Sequence, residues 1–290
     1  MYIDGVFSGG GIKGFALIGA YEAIESRGLR FARLAGTSAG AIMAALIAAG
    51  YTSVELKRVI KEVEGKQLLD DTLFDLPFIR WLKIYFTLGL YKGKKLEQWI
   101  DGLLMQKGIR TFGDLAPEAL RVVTSDITNG RILTLPDDLP SYRINPHTFP
   151  IARAVRMSCT LPYFFQPVKL SVPHGKALIL DGGMLSNFPL WLFDEEKKQK
   201  RPVLGIKLST RTMRMPRQIN TGADLFSAMF HTMKDAHDAR YISRRHERNI
   251  VFIPVEGTAV TDFDLSDEKK DALIQAGRSY TEAFLKRWCY

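Results

Sequence analysis

Apolar residues in this chain fall into short bounded runs, some continuous like buried strands and others at helical spacing, and the two kinds alternate along its length. Residues 3–7 read as a first strand, after which a glycine loop at 9–14 opens an apolar helix reaching about Arg27. A second strand at 31–35 leads to a run at 41–49 with the composition of a core helix, ended by Gly50. Thr52, with Glu55 three residues on, forms a capping box for a helix over 54–64, and 96–105 is also helical. Further strands are expected at 120–124, 131–135, 177–180, 203–208 and 250–254, and long helices at 223–247 and 266–288. This alternation predicts an α/β fold, a mainly parallel central sheet with helices on both faces. The weakest connections, at 136–146 and 210–221, do not read as domain boundaries, so residues 1–290 are expected to form a single domain.

The second strand ends in Gly36-Thr37-Ser38-Ala39-Gly40, a serine between two glycines at a strand-to-helix corner. That is the setting of a nucleophile elbow, where a tight turn exposes the hydroxyl at a helix N-terminus and the flanking glycines supply the missing bulk. Upstream, Gly9, Gly10 and Gly11, with Lys13 and Gly14, fit two functions. Their spacing satisfies a dinucleotide fingerprint, which would make the chain an oxidoreductase. That motif also wants an acidic residue at the end of the second strand, where this chain carries Arg33 and then the serine turn. The rival is an oxyanion hole built from consecutive glycine amides and a helix N-terminus. Lys13 would add positive potential, although a lone lysine is more often solvent-facing. A serine nucleophile needs a base, and Asp181-Gly182-Gly183 follows the apolar run 177–180, which puts the carboxylate at the end of an expected central strand. With an ordinary pKa near 3.9 it is ionised but weakly basic, so burial and a hydrogen bond to the serine would have to strengthen it.

Composition narrows the setting. Of 290 residues, 46% are hydrophobic and 24% charged, the balance of a soluble globular protein, and no apolar run approaches the roughly 20 residues of a membrane span. No basic-then-apolar leader precedes the first strand, and Cys159 and Cys289 fit no metal or redox spacing, so a cytoplasmic location is expected, without metal or cofactor. The net charge of +9 is concentrated late, around Lys197 to Arg201, Arg211 to Arg217 and Arg240 to Arg248. Such a surface attracts polyanions. In the absence of any nucleic-acid module, contact with an anionic membrane surface is the expectation.

Taken together and in order, Gly9 to Gly14, Gly36 to Gly40 and Asp181-Gly182-Gly183 resemble the patatin-like phospholipase family, over roughly residues 4–195. Gly89-Leu90-Tyr91, Ser125-Asp126 before Asn129-Gly130, Ser158 to Pro162, Phe165 with Pro167, and Asn187 with Pro189 also look like family pattern. The resemblance implies a three-layer patatin-like sandwich and a serine-aspartate dyad without histidine. Ser38 would be nucleophile, Asp181 general base, and the amides of Gly9 to Gly11 the oxyanion hole. The implied activity is lipid acyl hydrolysis, phospholipase A or lysophospholipase, through an acyl-enzyme. A thioesterase or neutral-lipid esterase would use the same dyad, and a silent lipid-binding module is the non-enzymatic rival. Ser8 and Gly183 depart from residues frequent in the family, leaving substrate preference open. Beyond about residue 195 the motifs give out, and residues 196–290 read as a basic, helix-rich part packed on the same core.

An ordinary serine-histidine-aspartate triad would require His231, His237 or His246, all within an expected helix rather than on a loop after a strand. His231 and His237, six apart, do not share a helical face for zinc, and His147 and His174 read as loop residues. Phe74, Phe78, Trp81 and Tyr85 recur at helical spacing with Lys83 among them. Core helix and membrane-contacting lid are equal readings of that stripe, the second giving peripheral contact with the inner face of the membrane.

Overall fold

The continuous apolar runs become the strands of the sheet. In the computed structural model, which describes residues 1–62, 65–70, 84–172, 175–193, 201–209, 219–241, 247–255 and 265–289, these are β1 (Tyr2–Phe7), β2 (Arg30–Thr37), β4 (Leu120–Asp126), β9 (Val203–Ser209) and β10 (Ile250–Pro254). They lie parallel in the order β10-β9-β1-β2-β4. Beyond them the sheet turns antiparallel. β5 (Arg131–Leu135) pairs with one edge of β4, and β8 (Gly175–Asp181) pairs with the other, followed by β7 (Val168–Val172). A separate two-stranded ribbon joins β3 (Gly89–Tyr91) to β6 (Tyr163–Phe165).

The helices are α1 (Phe15–Ser26), α2 (Ala39–Ala48), α3 (Ser53–Glu62), α4 (Lys94–Gln106), α5 (Ile151–Ser158), α6 (Gly222–Tyr241) and α7 (Asp267–Leu285). Alternation along the strands divides their side chains between two faces. Ile3, Phe7, Leu34, Leu204 and Val251 join the large core beneath α1, α2 and α7, while Val6, Ala35, Val203 and Ile250 pack against Phe188, Leu190 and Phe193 on the opposite face. α2 is apolar nearly all round because it is enclosed: Ala41, Ala44, Ala45 and Leu46 are fully buried. Burying each large aliphatic side chain there stabilises the fold by about 1.5–3 kcal/mol. No helix among the described residues is long and apolar enough to cross a membrane.

Contacts from the C-terminal third reach back to the first helix. α1 and α7 approach backbone to backbone: a Cβ added to Gly19 would stand 1.8 Å from the Ile274 carbonyl oxygen, and one on Gly277 1.8 Å from that of Ala16. Neither position admits a side chain. Arg278 on α7 also pairs with Glu22 on α1 at 3.0 Å.

Candidate active site

Ser38 sits between the end of β2 and the start of α2 with φ 53° and ψ −123°, a conformation that costs a non-glycine residue of order 1–3 kcal/mol. Its neighbours explain how the turn closes. A Cβ on Gly36 would lie 2.3 Å from the Gly40 carbonyl oxygen, and one on Gly40 2.2 Å from that of Phe7, so β1, β2 and α2 meet only through glycine. The Ser38 N–H donates to the Ser158 hydroxyl at 2.8 Å, and that hydroxyl donates to the Val123 carbonyl at 2.6 Å. The end of α5 thus ties the strained residue to β4.

Sheet register brings the carboxylate to the serine. Thr37, the last residue of β2, pairs with Val123 of β4, and Asp181, the last of β8, pairs with Thr124. Val122 and Thr124 both pair with β5 on the other edge, so β2 and β8 occupy successive stretches of the same edge of β4 and meet end to end. The sequence reading of Asp181 at the end of a central strand is corrected here. β8 is antiparallel and second from the sheet's edge, and reaches the end of β2 from the opposite direction. The Ser38 hydroxyl and the Asp181 carboxylate face the same cavity, close enough for the hydroxyl to favour the ionised carboxylate, and that carboxylate accepts the Gly183 N–H at 2.7 Å. Burial raises the Asp181 pKa to about 6, outweighing the opposing pulls of the Gly183 amide, the Ser38 hydroxyl and the charge of Lys234.

The glycine loop lies directly above. A Cβ on Gly9 would come within 3.2 Å of the Ser38 Cβ, and one on Gly14 within 2.9 Å of the Ala39 Cβ. The three loop amides have different roles: Gly9 N–H donates to the Asn187 carbonyl at 3.0 Å, which anchors the loop and leaves Gly10 and Gly11 as the candidate oxyanion donors. Lys13 is buried rather than solvent-facing, its ammonium donating to the Val255 carbonyl at 3.4 Å and its pKa lowered by burial. Arg33, where a ribose-binding acid would be needed, instead forms a buried pair with Asp4 at 2.6 Å, so this stretch of β2 offers no carboxylate to a dinucleotide.

A cavity of about 160 Å³ opens from Ser38 and Asp181. Its wall is mostly apolar, with Phe15, Ile42, Met43, Trp99, Leu161 and Phe164 contributing. Cys159 also lines it, on the same cavity as Ser38. Burial pushes the Cys159 thiol's pKa up, which keeps it protonated. Arg156, fully buried, fixes the rim by donating to the carbonyls of Gly93 (3.1 Å), Lys92 (2.7 Å) and Gln166 (3.0 Å), clamping the β3–β6 ribbon to α5.

Several sequence candidates stand elsewhere. Phe74, Phe78, Trp81 and Lys83 lie outside the described residues, as do His174, His246 and the side chains of His231 and His237. Tyr85 is exposed, beside exposed Phe86 and Leu88. His147 is an exposed loop residue, and among the described residues no group of three His, Cys, Asp or Glu could hold a metal ion. Sequence reasoning missed a support for the loop: buried Asp238 of α6 accepts from the Phe188 N–H at 3.1 Å and the Asn187 amide at 3.4 Å, and pairs with Lys207. Nothing local marks Asp238, whose partners are 31 to 51 residues away.

Fold and motif together define an α/β protein of the patatin-like kind, and comparison with known proteins agrees. A family model described as patatin-like phospholipase matches residues 5–194, and the chain belongs to that family, a class that hydrolyses lipid esters. It is 56% identical to the uncharacterized protein YqhO of Bacillus subtilis, with 100% of both chains covered. It is 28% identical to the neuropathy target esterase sws of Drosophila virilis, over 63% of this chain and 11% of that one. Among solved structures, VipD from Legionella pneumophila superposes with a TM-score of 0.59 at 18% identity, covering 99% of this chain and 67% of that chain, a likeness of fold.

Proposed function

We propose that this chain hydrolyses carboxylic acyl esters of phospholipids or lysophospholipids through a Ser38–Asp181 dyad and an acyl-enzyme. The observation that carries the reading is that Ser38, on its strained turn, and a buried carboxylate whose pKa burial raises to about 6 line one end of the same apolar cavity. Such a carboxylate is ionised at neutral pH and more basic than an ordinary aspartate. Ser38 Oγ attacks the ester carbonyl as its proton passes to Asp181, and the N–H groups of Gly10 and Gly11 receive the oxyanion. Loss of one such donor typically costs about 2.7–4 kcal/mol of transition-state stabilisation. Asp181 returns the proton to the departing alcohol oxygen, leaving the acyl group on Ser38. Water, deprotonated by Asp181, then attacks the acyl-enzyme, and the fatty acid leaves as Ser38 regains its proton.

The whole chain acts as one unit in this proposal, since α6 holds the Asn187 support of the loop through Asp238 and α7 packs on α1. The apolar wall suits an acyl chain. Exposed Tyr85, Phe86 and Leu88, close in sequence to Lys92, Lys94 and Lys95, suit transient contact with an anionic bilayer. The test is covalent labelling by a fluorophosphonate, followed by profiling the products released from a mixed lipid extract. The expected results are a label on Ser38, absent from Ser38→Ala, and release of fatty acid with lysophospholipid or its deacylated headgroup. Folded, lipid-exposed protein that takes no label at Ser38 would sink the mechanism, whereas preferential turnover of acyl thioesters or glycerides would replace the substrate and leave the dyad standing.

A further inference from the structure

At the opposite end of α5 from Ser158 lies a second groove, of about 580 Å³, formed by the segment 142–150, the first turn of α5 and the edge strand β7. Arg143, Arg153 and Lys169 line it, and no acidic residue does. Several other cations among the described residues are paired: Arg33 and Arg201 with Asp4, Arg121 with Asp137, Arg131 with Asp126. The three in the groove have no carboxylate partner among the described residues. The carboxylates nearest in sequence to Arg143 are engaged elsewhere, Asp137 by Arg121 and Asp138 by the Thr134 N–H.

Arg153 adds an independent sign. Its Nε–H is buried and meets no acceptor among the described residues, although the groove it lines is open. A buried donor without a partner is the exception in folded proteins, and a guanidinium presents its donors as a fork that suits tetrahedral oxyanions. The positive end of α5 also faces this region, with no acidic residue in its first turn and no side-chain cap.

We infer that this groove binds a phosphate group, held by Arg153 with Arg143 and Lys169. The chemistry is common to a soluble phosphate and a phospholipid headgroup. Five residues of α5, about 7.5 Å of helix axis, separate Arg153 from Ser158. A ligand in the groove therefore leaves the cavity at Ser38 free.

The full-length Ser38→Ala protein, which cannot consume a lipid ester through the proposed dyad, is titrated in two arms. Inorganic phosphate is added against chloride of matched ionic strength while the thermal midpoint is followed, and cosedimentation is measured with phosphatidylcholine vesicles with and without phosphatidylglycerol. Binding in either arm is expected to weaken at least about tenfold when Arg153→Gln and Lys169→Gln are combined. A phosphate response lost in that variant assigns a soluble ligand. Cosedimentation that requires phosphatidylglycerol and is lost in the variant, without a phosphate response, assigns a headgroup. Lys169→Glu alone, at an exposed site, gives the same reading if replacing Arg153 prevents folding. No response in either arm, or a response that Lys169→Glu and the double variant leave unchanged, overturns the inference.

Discussion

Replacing Asp181 with asparagine separates the energetic consequence of the buried carboxylate from its chemistry. Burial lifts its pKa from 3.8 to about 6 in the folded protein. In the unfolded chain the group loses its proton near the lower value, so between the two the native state holds a proton that the unfolded state has released. Stability contributed by this group therefore falls as pH rises through that interval and is flat above it. The gap is about two pH units, which at 1.36 kcal/mol each makes about 3 kcal/mol. Asparagine keeps an acceptor for the Gly183 N–H, 2.7 Å away in the native protein, and carries no charge. Asp181→Asn is thus expected to be more stable than the native protein by about 3 kcal/mol near pH 8 and to converge with it towards pH 4. Urea unfolding followed by circular dichroism across that range measures the difference, while hydrolysis of a soluble ester should fall by about 10²–10⁴. In the native protein kcat/KM should rise with pH through about 6, as the base ionises. A stability difference independent of pH, or a variant less stable near pH 8, refutes the claim that burial dominates at Asp181.

Two further substitutions test the supports of the site. Ser158→Ala removes the acceptor of the Ser38 N–H and the donor to Val123, so stability is expected to drop by about 1–3 kcal/mol, with kcat reduced more than KM is raised; unchanged kcat would show that the elbow holds without it. Gly40→Ala places a methyl 2.2 Å from the Phe7 carbonyl oxygen and is expected to abolish activity and cost several kcal/mol, read by thermal unfolding, whereas a native-like midpoint would contradict the packing of β1 against α2.

What the sequence disclosed follows from where its patterns are local. β1, α1, β2 and α2 were legible because each is a continuous or helically spaced apolar run, bounded by glycine. β3, β6 and β7 were not, being three to five residues long and partly exposed. α5 escaped for a different reason. Its eight residues include Arg153 and Arg156, which interrupt the apolar pattern, yet Arg156 is fully buried because the carbonyls of Lys92, Gly93 and Gln166 receive its donors. A buried cation satisfied by distant backbone leaves no local trace. The same holds for Asp238, which steadies the Asn187 end of the glycine loop from a helix 50 residues downstream.

The Ser38–Asp181 juxtaposition shows how the two residues of the proposed dyad, 143 positions apart in sequence, are fixed with little freedom. Each motif announces its residue, but neither announces the other. The distance between them is set by β4, on which their strands end against consecutive residues, Val123 and Thr124, whose Cα atoms are about 3.8 Å apart. Slipping β8 by one residue would turn Asp181 to the opposite face of the sheet and bring Leu180 to its place. The register is held by Asp181 N–H donating to the Thr160 carbonyl at 2.8 Å, and by Gly182, where a Cβ would stand 2.3 Å from the Val123 carbonyl oxygen. Because that same carbonyl accepts from Ser158, which in turn accepts from Ser38, one backbone oxygen of β4 constrains both halves of the site. In the proposed mechanism the serine passes its proton to the carboxylate with no imidazole between them. The carboxylate's basicity comes instead from burial, which this end-to-end meeting of two strands provides.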